Sequence, residues 1–225
     1  MKLLIMSMFA ILVPCAGNAN VCDVGASSGN LTPQGLHSIH QIFLDDQIDR
    51  SHEHSAIACG TSMSERDATR RVLARRLLVA GTVRTGQDFH DAAFIFQHGI
   101  TPSDYLLAHI LAVDSIIKGD GSSKWIAAAT LDRYLQAIGQ KQIFGTQYTG
   151  SEPGTAGVGN GMPRVARGGT HQQRKLTENP FDEKFISDIL RKDFCVPDIA
   201  HQRINLKQLE SGHIAEGIVP QGCTR

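Results

Sequence analysis

Two histidines lie inside apolar stretches of this 225-residue sequence, where a side chain that exchanges protons needs a polar partner. His98 shares a predicted helix face with Asp91, and His109 lies in the middle of an apolar helical stripe. A buried polar group without a hydrogen bond costs about 1–3 kcal/mol. Each imidazole therefore either bonds to a carbonyl or carboxylate as a structural group, or acts as a general acid or base or as a ligand, since histidine titrates near neutral pH.

An adjacent acid and base, Asp132 and Arg133, follow in a predicted helix that has apolar residues on two sides. We expect both side chains inside the protein or at a cleft. There Asp132 would orient a histidine or bind a metal, and Arg133 would hold an anionic group. The alternative is a structural ion pair with Asp67, Arg70 or Asp49. The residue types alone favour neither.

The loop of residues 139–147 is rich in uncharged side chains that form hydrogen bonds. In a pocket, Gln142, Thr146 and Gln147 would position a polar substrate, together with Gln97. The alternative is that this loop only caps the end of the preceding helix.

Caps and terminators divide the chain into helices that would position these groups. Thr85 and Asp88 resemble a capping box, and glycines such as Gly81, Gly99 and Gly139 are expected to end helices. The predicted helices begin at Thr32-Pro33, then run from Ser62 or Ser64 to about Ala80, from Thr85 to His98, from Thr101 to Lys118, from Ser122 or Ser123 to Ile138, and from Pro180 to Arg191, with a further stretch near 204–209. We therefore predict an all-α fold, a single compact bundle of about five to seven helices.

Residues 1–19 have the pattern of a cleavable signal peptide, with Lys2, an apolar run that ends at Val13, and small residues before Ala19. The run is too short to span a bilayer, which takes about 20 apolar residues. An uncleaved anchor, or lipidation at Cys15, is the alternative. The pattern predicts an exported soluble protein, periplasmic or secreted, without a membrane span.

The remainder, residues 20–225, suits one domain. We divide it into a core at 32–148, a glycine-rich surface loop at 150–170 and a C-terminal helical segment at 180–225. The glycine-rich segment lacks the G-K-[ST] sequence of a phosphate-binding loop.

Four cysteines remain after removal of the signal: Cys22, Cys59, Cys195 and Cys223. In an exported chain they predict two disulfides, with three possible pairings. We favour Cys22–Cys59 with Cys195–Cys223, because each bond would hold a terminal segment. A zinc site of four thiolates is the alternative, although no C-x-x-C pair supports it.

The charge balance of 22 basic and 22 acidic residues excludes the broad positive surface of a nucleic-acid binder. Several arginines cluster on one predicted helix, and we interpret them as a solvated or salt-bridged face: Arg66, Arg70, Arg71, Arg75 and Arg76. Neither the H-E-x-x-H motif of zinc proteases nor the G-x-S-x-G motif of serine hydrolases occurs.

A series of short motifs follows in order: residues 46–50, Asp67 with Arg70-Arg71, Gln97-His98-Gly99, Ala108-His109, residues 132–135, and residues 139–147 with Phe144 in an aromatic position. In these motifs the chain resembles an uncharacterised family of bacterial helical proteins, whose members end their core in a Q-x-Y/F-G-T-Q loop. The resemblance covers about residues 45–148, and the insert at 150–170 departs from it. It implies a helical fold and a set of residues, but no reaction.

Our first hypothesis is an exported hydrolase with a pocket among the third, fourth and fifth helices, where His98 or His109 is the general base. The alternative is a non-enzymatic binding or inhibitor-like module in which the same polar residues are structural. The partner is a small polar ligand in the first case and a protein in the second. The sequence identifies no cofactor and no particular metal.

Overall fold

The computed structural model describes residues 38–51, 61–150 and 176–211. Of the described residues, 65% are helical, in seven α-helices with only two short strands. The predicted all-α bundle is confirmed. The signal peptide, the helix start at Thr32-Pro33, nearly all of the glycine-rich loop, and Cys22, Cys59 and Cys223 lie outside the described residues.

Five helices form the bundle and two follow the glycine-rich segment. The helices are α1 (Ile39–Ser51), α2 (Met63–Val79), α3 (Gly86–Phe96), α4 (Pro102–Ile117), α5 (Lys124–Ala137), α6 (Asp188–Asp193) and α7 (Ile199–Glu210). A 3₁₀ turn at Gly121–Ser123 precedes α5. Strand β1 (Thr149–Gly150) pairs antiparallel with β2 (Leu176–Thr177), so that Thr149 lies opposite Thr177.

Side-chain caps explain where α2, α3 and α4 begin. Ser62 and Glu65 form a complete capping box at α2, and Thr85 with Asp88 forms the predicted one at α3. Thr101 caps α4, which has proline at its start. Helices α2, α4 and α5 are each followed by a glycine with positive φ: Gly81 (66°), Gly119 (93°) and Gly139 (76°). These local signals fix the bounds of the helices that carry the candidate site.

The core lies where α3, α4 and α5 pack against one another, with α1 and α2 beside them. Many of its fully buried residues are alanines, which let the helices approach closely around two larger side chains: Ala92, Ala93, Ala108, Ala112 and Ala127, with Phe96 and Ile126. Helix α4 is not buried on all sides, since its residues Ile110 and Ile117 are exposed. No described helix is both long and apolar enough to cross a membrane.

One predicted helix start is confirmed without its expected side-chain cap, and another is wrong. Ser123 occupies the N-cap position of α5, but its hydroxyl pairs with Ser115 at 2.7 Å instead of capping the helix. Pro180 does not open a helix, because Phe181 next to it forms a parallel bridge with Gln142. Helix α6 begins only at Asp188, after the N-cap residue Ser187.

Gly99 was expected to end a helix that runs to His98, and this expectation is wrong. Helix α3 ends at Phe96, and Gly99 is not among the residues with positive φ. Its small size is needed for a different reason. A Cβ at this position would overlap the Cβ of Asp104 and lie 2.8 Å from the Cγ of the same residue.

We expect Gly99→Ala to lower the free energy of unfolding by about 1–3 kcal/mol, because Asp104 cannot move away freely. Its carboxylate accepts hydrogen bonds from Thr101 Oγ1 at 2.8 Å and from the backbone of Ile100 at 3.3 Å. Urea denaturation measures the loss. Gly121→Ala is the control, since its added Cβ would have no atom within 4 Å. Equal stability of the two variants would contradict the steric explanation.

Candidate functional site

Asp132 is fully buried on α5 and accepts four hydrogen bonds from one loop. Its Oδ1 accepts from the backbone N–H groups of Ile143 (2.8 Å) and Phe144 (3.0 Å). Its Oδ2 accepts from the backbone N–H (3.0 Å) and the hydroxyl (2.8 Å) of Thr146. Burial raises the pKa of Asp132, and these hydrogen bonds oppose that rise. Since both oxygens are occupied, the carboxylate shapes the loop of residues 142–147.

The two glutamines at the ends of this 142–147 loop bond to each other. Gln142 Oε1 accepts from the backbone N–H of Gln147 at 3.0 Å, and Gln142 Nε2 donates to the carbonyl of Gln147 at 2.9 Å and to that of Glu178. The side chain of Gln147 donates to Ala129 O at 3.2 Å and to Thr146 Oγ1 at 3.0 Å. The predicted substrate-binding residues of the loop therefore bond mainly to protein groups.

The C-terminal helices hold the same loop from the other side. Gln202 Nε2 donates to Phe144 O at 2.8 Å, and Arg191 Nη2 donates to Ile143 O at 3.3 Å. Gly145 in this loop has φ of 83°, and a Cβ there would overlap Gln202 Oε1. Glycine is required at this position for both conformation and space.

Glu178 is a buried carboxyl group beside this loop. Burial raises its pKa to about 7, a hydrogen bond with Tyr148 opposes the rise, and Glu183 adds to it. Its Oε1 has no hydrogen-bond partner among the described residues. In the same environment, burial and the neighbouring Glu178 raise the pKa of Tyr148. Glu178 could not be identified as a site residue from the sequence, because it meets Gln142 and approaches Asp132 only in the folded chain.

We expect Glu178 to make the protein less stable as the pH rises from about 4.5 to 8. Its pKa in the folded state, about 7, lies above the ordinary value of 4.5. The folded protein therefore favours the protonated form, and its stabilising contribution is lost as the pH rises through 7. The change is roughly 3 kcal/mol, at 1.36 kcal/mol per pKa unit.

Glu178→Gln removes this dependence, so the difference in unfolding free energy between wild type and variant should change across that pH range. Asp193→Asn, at an exposed position on α6, is the matched control for replacing a carboxyl group by an amide. A constant difference for Glu178→Gln from pH 4.5 to 8 would contradict the elevated pKa.

Arg133 follows Asp132 in sequence, but its side chain lies in a different neighbourhood, next to the turn between α3 and α4. Its Nη1 donates to Gln97 O at 3.3 Å, and its buried Nε has no partner among the described residues. Burial lowers the pKa of Arg133 to about 10, so the guanidinium stays charged at neutral pH. No described carboxylate forms an ion pair with it. A buried cation without a counter-ion is costly.

His98 lies in this turn, with both ring nitrogens buried and without a hydrogen bond among the described residues. Its Nε2 is 3.7 Å from Asp46 Oδ2, which is too far for a hydrogen bond. Burial, followed by the charges of Arg50 and Arg133, lowers the pKa of His98 well below its ordinary value. The imidazole is therefore neutral at pH 7.

Three side chains hold the carbonyls of this turn. Arg133 bonds to the carbonyl of residue 97, Arg71 to that of His98 at 2.7 Å, and the Tyr105 hydroxyl to that of Gly99 at 2.8 Å. The backbone of His98 is therefore fixed while its ring nitrogens have no partner among the described residues. This combination fits a ring that is positioned for a ligand.

A buried network of carboxylates and guanidinium groups lies between α1 and α2, next to His98. Asp49 accepts from Arg66 at 2.7 and 2.8 Å and from Arg70 at 2.7 Å. Asp67 accepts from Arg70 at 3.0 Å and from Arg50 at 2.8 Å. Asp46 accepts from Arg50 at 2.9 Å. Arg71 and Arg133 lie beside this network, but their guanidinium groups donate to backbone carbonyls of the α3–α4 turn and not to carboxylates. The neighbourhood of His98 therefore has an excess of positive charge.

His109 is placed as a structural histidine that bonds to a carbonyl, which is one of the two interpretations of its position in the sequence. Its Nδ1 lies 2.9 Å from Ala127 O on α5. Within the described parts of the chain, neither a hydrogen bond nor an ion pair joins His109 to His98 or to Asp132. The predicted site residues therefore fall into three groups: His98 with Gln97 and Arg133, Asp132 with the 142–147 loop, and His109 by itself.

A further cluster of polar side chains joins α1 to α3, and no motif in the sequence indicates it. The carboxylate of Asp91 is fully buried and meets His40 Nδ1 at 2.7 Å, His90 Nδ1 at 3.0 Å and Gln87 Nε2 at 2.8 Å. The helical pattern had placed Asp91 on an inner face, but only the docking of α1 shows which histidines it meets.

Among the described residues, no group of three or more His, Cys, Asp or Glu side chains is arranged to hold a metal ion. Comparison of the chain with protein-family models, with curated proteins and with solved structures gives no match. A function therefore has to be inferred from the geometry of the groups around His98 and Arg133.

Proposed function

We propose that the protein binds a small anionic ligand, a carboxylate or a phosphate, through Arg133 and His98. The observation that supports this most is the environment of Arg133: a charged, buried guanidinium that contacts one carbonyl and no described carboxylate. An anion would supply the missing counter-ion.

Two further observations support the same site. The neutral imidazole of His98 has one donor and one acceptor nitrogen, neither of which has a partner among the described residues, and both could form hydrogen bonds to such a ligand. Arg133 and His98 are each only 8% exposed, so an anion held between them would be shielded from water, which strengthens its attraction to the guanidinium.

We expect Arg133→Met to abolish anion binding while it raises the stability of the ligand-free protein by about 1–3 kcal/mol, because methionine fills similar space without an unpaired buried charge. Isothermal titration with acetate, citrate and inorganic phosphate measures binding, and urea denaturation without anions measures stability.

Arg84→Met is the matched control, since Arg84 is exposed and its Nε donates only to Gly81 O. It should bind anions as the wild type does. The proposal fails if none of the three anions binds to the wild type, or if Arg133→Met and Arg84→Met bind them equally.

A second candidate function is hydrolysis of an anionic substrate, as in our first sequence hypothesis. What favours it is the position of Asp46 at 3.7 Å from the neutral His98 ring, since a nearby carboxylate would stabilise the imidazolium that forms when His98 accepts a proton from water. Nitrophenyl esters and nitrophenyl phosphate provide the assay. Activity that persists in both His98→Gln and Asp46→Asn would refute this role.

Other features remain part of the proposal. We propose export through the signal peptide at residues 1–19, a single domain at 20–225, disulfides Cys22–Cys59 and Cys195–Cys223, and membership of the bacterial family described above.

A binding or inhibitor-like module with a protein partner is the non-enzymatic alternative. Anion binding without turnover would favour a non-enzymatic role over hydrolysis.

A further inference from the structure

A cleft of about 620 Å³ lies along the outer face of α2, separate from the site of Arg133 and His98. Its lining extends along α2 from Ala68 to Val79, and includes Ala80 just after the helix and Asp104 from α4. The volume is within the range of small-molecule sites, about 300–1,000 Å³. From residue 68 to residue 80 the cleft follows α2 for about 18 Å, at 1.5 Å per residue.

The floor of the cleft is apolar and exposed. Ala68, Val72 and Val79 recur at helical spacing on one strip of α2, and the exposed fractions of Val72 and Val79 are 52% and 86%. No described residue covers this strip. An aliphatic or aromatic group placed on it would remove apolar surface from water.

Guanidinium groups flank the strip on both sides. Arg71 and Arg75 are one turn apart on the side of the α3–α4 turn, and Arg76 lies on the other side. Arg75 lies over the ring of Phe96, 5.2 Å from its centroid, with Asp104 at 3.7 Å. Arg71 is fixed by its bond to His98 O. Three cations against one carboxylate leave an excess of positive charge.

We propose that this cleft binds a small amphiphilic anion: a carboxylate head held by Arg71 and Arg75, with an apolar chain along Val72 and Val79. The bond of Arg71 to His98 O uses Nη1, which leaves its other donors for the head. Arg75 already lies 3.7 Å from Asp104, in an ion pair that is partly exposed and therefore weak. A carboxylate head has to compete only with this weak pair for Arg75.

The test is isothermal titration with octanoate, acetate and 1-octanol at low salt, on the full chain carrying Arg133→Met, so that acetate does not also bind at the buried anion site. Octanoate should bind at least about 10-fold more tightly than acetate, which has the head alone, and than 1-octanol, which has the chain alone. Its affinity should fall with added salt. Equal binding of acetate and octanoate, or no binding of octanoate, would overturn the proposal.

Two variants locate the binding. Val72→Glu puts a negative charge on the floor and should weaken octanoate binding at least about 10-fold, as should Arg75→Gln. Ile117→Glu, at a position 75% exposed on α4 and not in the cleft, is the matched control. Wild-type affinity in Val72→Glu would reject the cleft. Arg133→Met should keep octanoate binding, so failure at the buried anion site and failure here are distinguishable.

Discussion

Asp132→Ala is expected to lower the free energy of unfolding by about 3–5 kcal/mol. The substitution leaves four donors without their acceptor: the N–H groups of Ile143 and Phe144, and both donors of Thr146. Each buried donor without a partner costs about 1–3 kcal/mol, less what water recovers where Thr146 and Ile143 are partly exposed. Urea denaturation monitored by circular dichroism measures the change.

The asparagine variant refines this expectation. Asp132→Asn keeps one oxygen that accepts two hydrogen bonds, but its amide nitrogen cannot accept the other two. We expect a loss intermediate between wild type and Asp132→Ala. Asp114→Ala on α4 is the control, because Asp114 is only partly buried, and it should change stability by less than about 0.5 kcal/mol. If Asp132→Ala and Asp114→Ala cost the same, the carboxylate does not hold the loop.

Arg70→Met is expected to cost a similar amount, about 3–5 kcal/mol, because it removes a shared cation from a buried network. Arg70 has an exposed fraction of 1% and donates to Asp49 at 2.7 Å and to Asp67 at 3.0 Å. Without it, the buried carboxylates repel each other more strongly. The same denaturation experiment measures the loss.

Two comparisons isolate the charge effect from packing. Arg76→Met removes an arginine from an exposed position of the same helix and should be nearly neutral. The double variant Arg70→Met with Asp67→Asn should recover part of the stability, since one of the uncompensated carboxylates is then neutral. A double variant less stable than Arg70→Met alone would show that repulsion is not the cause.

The helices of the bundle could be predicted because their ends depend on neighbouring residues. Ser62 with Glu65, Thr85 with Asp88, and Thr101 with Pro102 are complete signals within four residues. Gly99 and Pro180 misled the prediction. The glycine is needed where Asp104 approaches closely, and the proline precedes a residue that pairs with Gln142; both partners are known only after packing.

The sequence predicted which residues of the candidate site would be buried, but it did not predict which of them would lie next to one another. His98, Asp132 and Arg133 were expected inside, and all three are buried. The separation of Asp132 from Arg133 follows from the helix itself, since adjacent residues on α5 point about 100° apart. The carboxylates that surround Arg70 come partly from α1, and no local pattern shows that Asp46 and Asp49 will meet α2 rather than solvent.

The way the C-terminal helices hold the 142–147 loop has a consequence for the order of folding. The bonds from Arg191 to Ile143 and from Gln202 to Phe144 join residues 48 and 58 positions apart, whereas α3, α4 and α5 connect through short turns. Closing a long stretch of chain costs more entropy than forming a helical hairpin. The hairpins should therefore assemble early, and the last stage of folding should be the arrival of α6 and α7, which completes the environment of Gly145.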